Sequence, residues 1–167
     1  MEVSVEVSFE ERYWYPADGG IVWLAGYQVV DVDSGRYLAH DAPELRRAGL
    51  RVASVAGAAR HHAEALQSDA VAPGSALDLR RDVSNEHDHN AIAVHTQVDE
   101  QVGWVPRELA ATLAPELDAG KPWTAIVLRE ARRSPRDPRL GLTLLLAPAE
   151  RIALRVHERH RPVRGRP

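Results

Sequence analysis

The sequence predicts a mainly β chain with short helices, an α+β arrangement in which a small β-barrel follows an N-terminal β-meander. Three observations carry that expectation. Short apolar or alternating runs, separated by Gly, Pro, Asp and Asn, recur along most of the 167 residues, the spacing of strands in small barrels. Helical apolar spacing is confined to a few short stretches. Aromatic residues crowd ahead of the barrel: Phe9, Tyr13, Trp14, Tyr15, Trp23, Tyr27 and Tyr37 precede it, leaving only Trp104 and Trp123 beyond.

In chain order, Val3, Val5, Val7 and Phe9 alternate with Glu2, Ser4, Glu6 and Ser8, the period of a half-buried strand. The turn Asp18-Gly19-Gly20 leads to a strand from Ile21 to about Val32, and Asp33-Ser34-Gly35 turns into a short strand around Tyr37. Asp41 with Glu44, and Pro43 in the first turn, mark a helix start that Gly49 stops. The meander is therefore assigned to residues 1–45 and the barrel to 46–148. Within the barrel the expectation is a strand at 51–55, a helical stretch at 58–67, a turn at 72–74 and a strand at 76–81. A hairpin follows at 91–96 and 101–105, then a helix at 107–118 with Leu109, Leu113 and Leu117 on one stripe. Pro115 is expected to kink or interrupt that helix. Strands at 124–128 and 141–146 complete the barrel, and residues 149–167 read as a basic, flexible tail.

The length suits one domain with a modest addition, and 44% hydrophobic with 27% charged residues is an ordinary globular composition. No apolar run is long enough to span a bilayer, and the alternating, acid-bearing start is unlike an export signal, which implies a cytoplasmic protein. Zero cysteines exclude disulfides and thiolate metal sites. One lysine against twenty arginines is the mark of a GC-rich, bacterial coding bias. The net charge of −3 is segregated: residues 129–139 carry +3, residues 149–167 carry +4, and the remainder −10. Basic patches on an acidic body suit a protein that meets a polyanion at one place.

The stretch NEHDHNAIAV at 85–94 crowds polar groups before a strand. The series LDLRRDVSNEHDHNAIAV followed by VGWVPRELA resembles the HIRAN domain, over roughly residues 50–147. The family occurs at the N-terminus of DNA-repair translocases of the helicase-like transcription factor type and as a stand-alone bacterial module. The resemblance implies an OB- or SH3-like β-barrel that binds single-stranded DNA, with recognition of free 3′-hydroxyl ends in the eukaryotic repair proteins. It carries a ligand-contacting role to Asn85, His87, Asp88, Trp104 and Arg107. The residues supply no positioned nucleophile, Gly-rich phosphate loop or convincing metal set, so no catalytic residue, metal or cofactor is expected. With no helicase motor, nuclease signature or RING finger, the chain is expected to work on DNA as an adaptor beside a helicase or nuclease partner. Where the repair proteins carry a basic-aromatic cluster, this chain reads Val55-Ala56-Gly57-Ala58-Ala59-Arg60-His61-His62. Either Arg60, His61 and His62 substitute for it, or the grip on ends is looser.

The same residues have a physical reading. A carboxylate such as Asp88 accepts a hydrogen bond from a terminal hydroxyl and repels a phosphate. Asn85 offers donor and acceptor, Trp104 a stacking face, and Arg107 a cation at a helix start. Each also has a structural reading: Asp88 as an Asx-turn acceptor, Asn90 as a loop brace, Trp104 as core, and Arg107 as plain surface. Trp123 reads as core. Three other functions compete: a metal site from His87 and His89 with Asp88 or His95, a nuclease from Asp82, Glu86, Asp88 and a histidine, and a peptide-interaction module.

Overall fold

Two long strands, β7 (Trp123–Arg132) and β8 (Arg139–Pro148), form the central hairpin of the computed structural model. The model describes residues 5–14, 22–31, 34, 36, 38–39, 41–149 and 155–157. The strands are apolar on both faces because both faces are covered, the pattern of a doubly buried strand. Ala125, Val127, Leu142, Leu144 and Leu146 face one core, while Ile126, Leu128, Leu145 and Ala147 face a second.

The first core is the barrel interior. Strand β3 (Arg51–Ser54) pairs with β8, β8 with β7, β7 with β4 (Ala76–Arg81), β4 with β5 (Ile92–Thr96) and β5 with β6 (Gln101–Trp104), all antiparallel. An isolated bridge between Ala56 and Trp104 returns the sheet to the continuation of β3 and closes the ring. Closure depends on Gly103: a Cβ there would lie 2.5 Å from the Ala56 carbonyl oxygen and 2.6 Å from Val55 Cγ1, too close for any side chain. Helices α2 (Ala58–His61) and α3 (Ala63–Leu66) cap the interior with Ala58 and Leu66. The stretch expected as one helix at 58–67 is thus two, broken at His62, whose φ of −135° is non-helical. Helix α4 (Arg107–Asp118) buries Ala110, Leu113 and Ala114, with Leu109 and Leu117 packed at the margin.

Pro115 does not interrupt α4, which runs on to Asp118. The carbonyl that loses its donor belongs to Ala111, four residues back. Both residues are exposed, so water satisfies what the helix does not.

The second core lies outside the barrel wall. Helix α1 (Pro43–Arg47) supplies Leu45, and strand β2 (Val22–Asp31) supplies Val29. Pro43 starts α1 and the helix stops before Gly49, but Asp41 does not cap it: the N-cap is Ala42, without a side-chain bond. Strand β2 pairs with β1 (Val5–Trp14), and its Trp23–Gly26 segment joins Gly26 to Arg129 and Trp23 to Arg132 on β7. Leu38 N–H donates to the Val29 carbonyl at 2.9 Å, so the chain after the turn returns beside β2. A short strand β9 (Arg155–His157) runs parallel to β1. The turn at 18–20, Tyr37 and the rest of the basic tail lie outside the described residues.

The arginines at 129–139 do not form a free basic patch. Arg129 and Arg139 are buried, and Glu130 accepts from both Arg132 and Arg139. Arg139 further donates to the carbonyls of Leu66 and Ser68 at 3.2 and 2.9 Å, tying the end of α3 to β8. Arg132 lies 6.0 Å from the centre of the Trp23 ring. Buried guanidinium needs a carboxylate and fixed acceptors, and Glu130 with those carbonyls supplies them. Only Arg133 and Arg136 of the five are exposed.

Candidate nucleic-acid interface

The loop between β4 and β5 is tied at its ends. Asp82 N–H donates to the Ala91 carbonyl at 2.9 Å. Arg81 donates from Nη1 to that carbonyl and from Nη2 to the carbonyl of His89, each at 2.8 Å. Its Nε pairs with Asp118, the last residue of α4, at 2.9 Å.

Short polar side chains hold the middle by binding nearby backbone, the property that favours Asn and Asp in turns. Asn85 Oδ1 accepts from the amides of His87 and Asp88 at 2.9 and 3.1 Å. Asp88 Oδ1 accepts from the amide of Asn90 at 2.9 Å, an Asx-turn. Asn85 and Asp88 are half-buried and held in place; His87 and His89 are exposed at the rim.

Trp104 connects this loop to the rest of the barrel. Its indole Nε1 donates to Asp82 Oδ2 at 3.2 Å. Asp82 also accepts from Asn85 Nδ2 and Ser84 Oγ, each at 3.3 Å. The indole bond foremost, then those of Asn85 and Ser84 and the charge of Arg81, hold the Asp82 carboxyl below the usual carboxylate range, although burial acts the other way. Asp82 is therefore ionised near neutral pH.

Residues 57–62 lie against the ring. His61 meets it edge-on with centroids 5.8 Å apart, and His62 meets it tilted at 5.1 Å. Gly57 sits at φ +72°, where a Cβ would lie 2.9 Å from ring atoms Cε3 and Cζ3; only glycine takes this conformation and leaves the ring its place. Burial, and then the neighbouring His61 and His95, push His62 below the ordinary imidazole value. Trp104 remains half-buried rather than sealed in the core.

Arg107, the first residue of α4, is exposed, as is Arg60 on α2. Neither has a hydrogen bond or ion pair among the described residues. The structure thus joins Asn85, Asp88 and Trp104 through Asp82, places His87 on the exposed rim of the same loop, and puts Arg107 three residues beyond Trp104 without a bond to the loop. Sequence reasoning gave Asp82 no bracing role and overlooked Arg81. The spacing of Asp82, Ser84 and Asn85, an acid followed at two and three residues by donors, is a local-turn signal that would have found the first. Among the described residues no three His, Cys, Asp or Glu side chains are placed to hold a metal ion. The histidine set and the acids at 82, 86 and 88 therefore build no such centre. Among the same residues no helix is long and apolar enough to cross a membrane.

The described residues thus form a small closed β-barrel whose braced polar loop lies against a half-open indole. The family model described as "HIRAN domain" matches residues 50–145, more than half of the chain. The chain belongs to the HIRAN domain family, a family of binding domains associated with DNA. Among solved structures, the chain is similar to a protein from Lactobacillus plantarum, with 24% identity over 57% of this chain and 87% of that one, at a TM-score of 0.47. It is also similar to the HIRAN domain of human HLTF, with 24% identity over 62% of this chain and 79% of that one, at a TM-score of 0.43. No curated protein matches it significantly.

Proposed function

We propose that this chain binds single-stranded DNA without cutting it, that the loop at 82–91 reads a free 3′-hydroxyl end, and that the chain acts as an adaptor for a helicase or nuclease. The observation that carries the reading is the Trp104–Asp82 hydrogen bond, which joins an aromatic ring and a pre-set acidic loop in one site. Asp88 uses Oδ1 to hold the Asn90 amide, leaving Oδ2 to accept from a terminal hydroxyl; a 3′-phosphate would meet its charge instead. Asn85 sets the loop and offers its remaining amide proton. The accessible part of Trp104 stacks on a base, and His87 contacts the ligand from the rim. Arg107 and Arg60 neutralise phosphates, Arg60 with His61 and His62 standing where the repair proteins carry aromatics.

Fluorescence anisotropy with oligonucleotides ending in hydroxyl or phosphate tests this. The hydroxyl end should bind more tightly by about 1.5–3 kcal/mol, the worth of one charge-assisted bond. Asp88→Asn should shrink that gap, and Trp104→Ala should weaken both ligands alike. No binding of either oligonucleotide at low salt overturns the reading.

A further inference from the structure

Strand β3 has one partnered edge and one open edge. Its register on β8 runs from Arg51 opposite Leu146 to Ser54 opposite Thr143, and Val55 N–H donates to the Leu142 carbonyl at 3.0 Å. Hydrogen-bonded and non-bonded pairs alternate along an antiparallel ladder. Arg51, Ala53 and Val55 therefore direct their backbone groups to β8, and Val52, Ser54 and Ala56 direct theirs the other way. Ala56 uses them: it exchanges bonds of 2.8 and 2.9 Å with Trp104. Val52 and Ser54 have no backbone partner on that edge among the described residues. A continuation of β6 would have covered them, but Pro106, which lacks an amide proton, and helix α4 lead the chain away.

At Val52 the open edge lines a cleft of about 750 Å³ between α1 and α4, and Ser54, exposed, continues the edge beyond the cleft. Its walls are chiefly apolar, with Pro43 on one side and Pro106 and Leu109 on the other, and Asp41, Glu108, Arg46 and Arg51 balance one another around it. Such a site offers little to a polyanion. It offers unpaired main-chain donors and acceptors at strand spacing between apolar walls, and the chemistry complementary to that is another extended main chain.

We propose that this cleft binds an extended, near-neutral peptide segment of a partner protein by strand addition. The peptide runs antiparallel to β3, in line with β6, pairing with Val52 and Ser54 and packing alternate aliphatic side chains against Pro43 and Leu109. None of the residues assigned to DNA takes part, so the two sites are separable.

Selection of random linear peptides displayed on phage, against the full chain, tests this. Two variants accompany it. Ser54→Pro removes an edge donor without touching the β8 ladder, since the Ser54 amide points away from β8, and Leu109→Glu charges the wall. Melting curves establish that each variant is folded. Enriched peptides should alternate aliphatic residues with little net charge, protect the Val52 and Ser54 amides from hydrogen exchange, and lose at least about tenfold in affinity on each folded variant. Binding of single-stranded DNA should be unchanged in both. The proposal is overturned if no peptide is enriched, or if enriched peptides are indifferent to both variants. It is equally overturned if the chain self-associates with concentration in a way that Ser54→Pro abolishes, which would assign the edge to a second copy.

Discussion

Asp82 holds three donors with one carboxylate, and its removal leaves the Trp104 indole N–H and the Asn85 amide without their acceptor. Asp82→Ala should cost about 2–3 kcal/mol in urea denaturation, the range for hydrogen bonds to a charged acceptor, and Asp82→Asn should recover part of it by keeping one oxygen. His62 gives a pH dependence of the opposite origin. Its folded value lies below the ordinary imidazole value of about 6.5, so below that pH the unfolded chain takes up a proton that folded His62 refuses. Stability should therefore fall as pH drops from about 6.5 through the lower folded value, and be unaffected by this group above it. His62→Phe, which keeps a ring against Trp104, should flatten that part of the profile measured by denaturation midpoints at several pH values.

At the scale of elements, α4 contains its own test. Pro115 removes a bond at an exposed turn, so Pro115→Ala should stabilise the protein by about 1–2 kcal/mol. That is less than the full helix-interior penalty, because the wild-type proline also restricts the unfolded chain. A rise in melting temperature checks it. The helix limits at 107–118 and the strand at 76–81 were legible in the sequence because their apolar periods are uninterrupted. The full lengths of β7 and β8 were not. Glu130, Arg132 and Arg139 read as loop residues, yet they continue both strands because Glu130 pairs with Arg132 along β7 and with Arg139 across the hairpin. The break at His62 was hidden too, since Ala, Glu and Leu on both sides of it favour helix.

For the whole molecule, the charge segregation read from the sequence overstates the basic surface at 129–139, since Arg129 and Arg139 are buried and Arg132 shares Glu130 with Arg139. DNA affinity should thus depend on salt only modestly. The slope of log K against log salt should be near −0.7 for each phosphate neutralised, about −1.4 if Arg60 and Arg107 each meet one, and Arg107→Ala should reduce it by about 0.7. Anisotropy titrations at several salt concentrations measure both. The meander joins the barrel through β2 on β7 and through Val29 and Leu45 in the outer core, so the outer faces of Ile126 and Leu128 are covered by chain that lies before the family-matched segment at 50–145.

By itself the sequence determined the mainly β class, the order of the barrel elements and the polar loop with its family, because these rest on local period, turn chemistry and a contiguous motif. It also carried the Asx-turn as one reading of Asp88, but could not choose it. Only the tertiary structure decided that Asp82 is the acceptor for Trp104, that Gly103 is the price of barrel closure, that buried arginines replace a basic patch, and that one edge of β3 stays open. Each of these depends on residues distant in the chain coming within hydrogen-bonding or van der Waals reach, and periodicity along one segment contains no record of what will face it.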